Sequence, residues 1–192
     1  MKQADYIRYD TESDAISSVE LASIFFLLSL SDERYWKWFV VALHSGLQGA
    51  LVLALRHGDS LLVQKPGTAK KMLEAWSTNE PSPLPYMDNL TGLYQKLSKT
   101  DNPHPIHFAI EQKVEFEAAI SKIDSTRHDL LHFNSKSWSI GKNYLREEAL
   151  LACKIIAALC APTSTIVWHD EEGSVRMQLA VTKLNKALRD EA

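Results

Sequence analysis

Apolar residues recur along this chain at intervals of three and four, the period of one buried helix face, over most of its length. A first helix is predicted over Asp14 to Leu30, with Thr11 or Ser13 near its start. Ser31 and Asp32 then offer a cap to a longer helix, Glu33 to His57, which Gly58 closes. Its apolar residues surround most of the circumference, which predicts the central helix of the domain. Pro66 and Gly67 interrupt the next stretch, and a short helix is predicted over Thr68 to Trp76. The run Glu80-Pro81-Ser82-Pro83-Leu84-Pro85 can be neither a helix nor the interior of a sheet, so it reads as a surface connection. A further helix is predicted over Met87 to Leu97, with a break from Asp101 to Pro105.

A second long helix is predicted from Ile106 to about Asn134, with Ile110, Val114, Ile120 and Ile123 on its buried side. Asn143 to Leu159 follows as an amphipathic helix that ends near Pro162. The last segment carries two patterns. Val175, Met177, Leu179 and Val181 alternate as in a strand, with Asp170 to Gly173 as a turn, while Met177, Val181, Leu184 and Leu188 make a helical stripe that Ser174 would cap. Helix is the favoured reading, with Thr165 to Trp168 briefly extended and a short terminal hairpin as the alternative. The expectation is an all-α bundle with long central helices, forming one domain over residues 1–192.

Composition changes this picture little. A chain of 192 residues, 45% hydrophobic and 23% charged, suits a single globular domain with a real core. Its net charge of −3 supplies no overall positive field for nucleic acid or an acidic membrane, although a local site remains open. The acidic start, with Asp5, Asp10, Glu12 and Asp14, is unlike a secretory signal. Leu21 to Leu30 is too short to cross a membrane. Tyr35 to Leu55 is long enough, but Lys37, His44 and Gln48 fall along one side of it, as in a buried helix with one polar face. Cys153 and Cys160 lie about 10.5 Å apart along one helix, too far for a disulfide. They read as core thiols, and the chain as cytoplasmic.

The segment Arg127-His128-Asp129-Leu130-Leu131-His132-Phe133 carries the chemistry. Histidine titrates near neutral pH and serves as acid or base, while arginine stays charged and grips two phosphate oxygens through its planar fork. This segment, with the Phe133-Asn134-Ser135-Lys136-Ser137-Trp138-Ser139-Ile140 stretch after it, resembles the Arg-x4-His signature of the HEPN superfamily. The whole is similar to an uncharacterised bacterial HEPN-like group. The resemblance implies an all-α fold and, in many members, metal-independent ribonuclease activity. It also implies a symmetric dimer whose cleft holds two arginines and two histidines. Five residues of helix turn through about 500°, leaving Arg127 and His132 about 140° apart, so a single straight helix does not aim both at one atom.

On this reading Arg127 and His132 are the catalytic pair, with His128 and Asp124 supporting. Asp124 lies one turn before His128 and would orient it or pair with Arg127. The plainer alternative is a solvated charged face made of Asp124, Arg127, His128 and Asp129. A metal site is the competing chemistry: His128 and His132 share a face, and His104 and His107 offer further ligands, but no His-Glu-x-x-His motif and no nearby cysteine accompany them. The expectation is therefore no metal and no cofactor. His44 and Gln48 face either an interior cleft or, more commonly for such residues, a hydrogen-bonded core. Trp36, Trp38 and Trp138 suit base stacking or packing, and Lys183, Lys186 and Arg189 form a basic stripe that is solvated surface by default. No phosphate-cradling glycine loop and no nucleophile elbow occur.

The function expected is RNA-directed: a metal-independent endoribonuclease of a stress or defence system, acting as a homodimer and held in check by an antitoxin protein. The alternative is a noncatalytic helical module that binds a protein or small ligand.

Overall fold

The computed structural model describes residues 9–99, 110–132, 137, 139–141, 143–161 and 166–190. Seven α-helices and no strand occur among them: α1 (Thr11–Ser29), α2 (Arg34–Leu55), α3 (Pro66–Thr78), α4 (Leu90–Leu97), α5 (Ile110–Leu131), α6 (Arg146–Leu159) and α7 (Glu171–Asp190). The fold class is all-α, as the apolar period requires.

Helix α2 is the hub, packed against α1, α4, α5 and α6. From Phe39 to Leu55 nearly every residue is buried, because helices surround it on most sides. It is long and apolar enough to cross a membrane by length and composition, yet 72% of its most apolar stretch is buried within the bundle. Antiparallel α1 lies against it at close range. A Cβ added to Gly46 would stand 2.6 Å from Val19 Cγ2, and one on Gly49 would stand 2.5 Å from Ala15 Cβ. Two glycines on one α2 face thus let the helix backbones approach where larger side chains would hold them apart.

Local chemistry sets the boundaries. Helix α1 begins earlier than its apolar pattern indicates, because Asp10 accepts from the Glu12 and Ser13 backbone N–H groups while Ser13 returns the bond. Asp32 accepts from the Arg34 N–H at the start of α2. Gly58, in the left-handed region at φ 52°, follows the end of α2 at Leu55. Pro66 does not interrupt α3 but opens it, since a helix's first turn leaves proline's missing N–H unneeded. Met87 does not begin α4; it pairs with Gln64 in an isolated antiparallel bridge, and Asn89 caps the helix through the Gly92 N–H. Residues 143–145 form a turn before α6.

The carboxyl-terminal ambiguity resolves as helix. Met177, Val181, Leu184 and Leu188 are buried while Val175 and Leu179 are exposed, so the helical stripe prevails over the alternation. Asp170 rather than Ser174 accepts at the start of α7, from the Glu172 N–H, and the buried Glu12 carboxylate accepts from the His169 and Asp170 N–H groups. Asp170 to Gly173 therefore leads into α7 and does not form a hairpin turn. Arg146 donates to the Leu188 and Arg189 carbonyls at the other end of α7.

In α5, Ile120 and Ile123 are buried with Phe116 and Ala119, but Val114 is 70% exposed. Six residues of helix rotate Val114 about 120° away from Ile120, off the core stripe. The expected start at Ile106, the Asp101–Pro105 break and Pro162 lie outside the described residues.

Candidate functional site

The core stripe of α5 runs through Phe116, Ile120 and Ile123, and its next position on the same face is Arg127. A cation therefore occupies a place where the helix period calls for an apolar side chain. Arg127 is half-buried there and forms no ion pair or hydrogen bond among the described residues. Asp124, one turn earlier, does not pair with it. Nor does Asp124 orient His128: its Oδ1 lies 2.9 Å from Nε2 of His44, which reaches across from α2.

His44 is buried, with its side chain 4% exposed, while the Asp124 side chain is 33% exposed. Burial is the main cause that pushes the His44 pKa below its ordinary value; the Arg127 charge lowers it further, and the hydrogen bond to Asp124 opposes both. His44 is thus held neutral near neutral pH. An ionised carboxylate only accepts, so Nε2 carries the proton and donates it to Asp124.

His128 and His132 are exposed on the outer side of α5, their ring centroids 4.2 Å apart and the rings tilted by 46°. His132 stands just past the end of α5, its N–H bonded to the His128 carbonyl at 3.0 Å. His128 is one residue, or about 100° of helix, from the half-buried guanidinium, and His132 is five residues on, just past the helix end. The site of one chain therefore has three layers: the part-buried His44–Asp124 bond, Arg127 at the boundary, and two imidazoles in solvent. A guanidinium without a carboxylate partner among the described residues can take a phosphate.

The other candidates fall elsewhere. Among the described residues no three His, Cys, Asp or Glu side chains converge as a metal ion needs. His104, His107, Phe133 and Trp138 lie outside the described residues. Trp36 packs against the core, while Trp38 is exposed with the Lys37 ammonium 5.5 Å from its ring centre. Lys183, Lys186 and Arg189 lie on the exposed side of α7, where Arg189 donates to Asn185. Cys153 and Cys160 are free, and burial pushes both thiols up to about 12. His44 belongs with this site by contact, although 80 residues separate it from Asp124. Its one sequence signal is a lone imidazole amid the apolar run of α2.

Neither a protein-family model, nor a curated protein, nor a solved structure matches this chain.

Proposed function

We propose that the chain is a HEPN-type, RNA-directed protein: a metal-independent endoribonuclease of a stress or defence system, cytoplasmic and homodimeric, with an antitoxin protein as its partner. The observation that carries the reading is the half-buried Arg127, which has no ion pair among the described residues, beside the exposed His128–His132 pair. In the reaction, an imidazole takes the proton of an RNA 2′-hydroxyl, and the freed oxygen attacks the adjacent phosphorus. The phosphorus–5′-oxygen bond breaks, and a second, protonated imidazole supplies the proton of the leaving 5′-hydroxyl. Arg127 neutralises the crowded phosphorane. His132 is the first choice for the proton transfers, with its counterpart in a second copy as the other participant; His128 supports.

Denaturing-gel assays on single-stranded and structured RNAs test this. Arg127→Ala and His132→Ala are each expected to abolish cleavage while circular dichroism stays helical. Cleavage that survives in both variants removes the mechanism.

One observation favours the second reading, a noncatalytic helical interaction module. Leu21, Ile24, Leu27 and Leu28 of α1 and Trp38 of α2 are all more than a third exposed, a run of apolar surface of the kind that partner proteins cover. Tight binding of a protein with no RNA cleavage would support it.

A further inference from the structure

We infer that His44 is a positioning residue whose bond to Asp124 holds that carboxylate away from Arg127 and so keeps the guanidinium open to an anion. Asp124 and Arg127 are three residues apart on α5, the spacing at which a carboxylate and a guanidinium meet on a helix surface. They would be expected to pair, and they do not. The carboxylate is turned toward α2 by the 2.9 Å bond from His44.

Three features make His44 suited to this. It is buried, so water does not compete for its Nε2 proton. It sits in the most enclosed helix of the bundle, and the Asp124 side chain, a third exposed, reaches in to it. It is neutral, so it directs the carboxylate without adding a second cation beside Arg127. A lysine or arginine in its place would form a stronger pair with Asp124 but would need its own charge desolvated. Among the described residues the site thereby keeps Arg127 as an available cation, with the Asp124 carboxylate occupied by His44.

The inference deepens the ribonuclease reading wherever RNA is the anion, but its first test needs no RNA. In the unmodified chain, ¹⁵N NMR should find His44 as the Nε2–H tautomer at neutral pH; the Nδ1–H tautomer would overturn the inference. The Arg127 Nε–H signal, assigned by its loss in Arg127→Ala, then reports pairing. It should exchange freely with water in the native chain and in His44→Gln, whose amide can still donate to Asp124. In His44→Leu it should become protected as Asp124 swings across, and in His44→Leu with Asp124→Asn it should be free again. An Arg127 signal that His44→Leu leaves unmoved would overturn the inference.

Affinity for a fluorescent 2′-O-methyl RNA, which cannot be cut through its 2′-oxygen, should follow the same order. A surface pair of this kind predicts binding about two- to five-fold weaker in His44→Leu, restored in the double variant and in His44→Gln. A double variant as weak as the single one would mean that His44 acts only through packing, against the inference. If the native chain binds no RNA, the ribonuclease reading fails, and the NMR arms still decide the role of His44.

Discussion

Nε2 of His44 in α2 and Oδ1 of Asp124 in α5 lie 2.9 Å apart, joining the buried hub of the bundle to the helix that bears Arg127 and His128. Burial of His44, which this bond only partly offsets, ties stability to pH with a definite sign. The unfolded His44 titrates at its ordinary value of 6.5, while burial and the Arg127 charge hold the folded value lower. Below 6.5 the unfolded chain takes a proton that the folded chain refuses, so this share of stability is complete above 6.5 and is lost as pH falls toward the folded value. Urea midpoints at several pH values should fall more steeply below 6.5 in the native chain than in His44→Gln. Parallel profiles would contradict the assignment.

The α1–α2 contact should be intolerant of added volume. Gly46→Val and Gly49→Val each place a side chain where Val19 or Ala15 already stands, with the first added atom at 2.6 or 2.5 Å. Overpacking of this kind costs about 1–3 kcal/mol. Both should lower the thermal midpoint measured by circular dichroism. Gly67→Ala, where an added Cβ meets nothing, is the control. Equal midpoints for all three would contradict the close approach.

Cys153 and Cys160 should be inert in the folded chain. Both are buried, and their thiols are pushed up to about 12, so almost no thiolate is present at neutral pH. Iodoacetamide should label neither in buffer and both in denaturant, as read by mass spectrometry. Rapid labelling in buffer would contradict their burial.

The chain should associate in pairs. Arg127 and His132 point to different sides of α5, so one chain does not aim both at one phosphate, whereas a two-fold axis would bring an arginine and a histidine from different copies together. Light scattering at micromolar concentration should give twice the 21.7 kDa of one chain. A strict monomer would remove the composite site. Mixing Arg127→Ala with His132→Ala chains should restore part of the lost cleavage.

What the sequence discloses depends on whether a decision is local. The helical period alone placed the cores of α2, α5, α6 and α7, because burial of one face leaves a mark every three or four residues. The same period applied without a fixed phase put Val114 inside α5, where the stripe anchored by Phe116, Ile120 and Ile123 excludes it. Pro66 read as a break because proline is compatible with both the end and the first turn of a helix. Arg127, His128 and His132 were legible as residue types. The partner of Asp124 was not, since it lies 80 residues away on another helix and only packing brings it near. Local spacing pointed to Arg127 or His128 instead.

The central claim, metal-independent cleavage by Arg127 and His132, is tested most directly by the ends that cleaved RNA carries. Purified protein is incubated with RNA in excess chelator, and the products are analysed by mass spectrometry. Attack by the 2′-oxygen predicts a 2′,3′-cyclic phosphate on one fragment and a 5′-hydroxyl on the other, with the rate reduced about 10²–10⁴-fold in His132→Ala. Products ending in a 3′-hydroxyl and a 5′-phosphate, with cleavage lost in chelator, would contradict it.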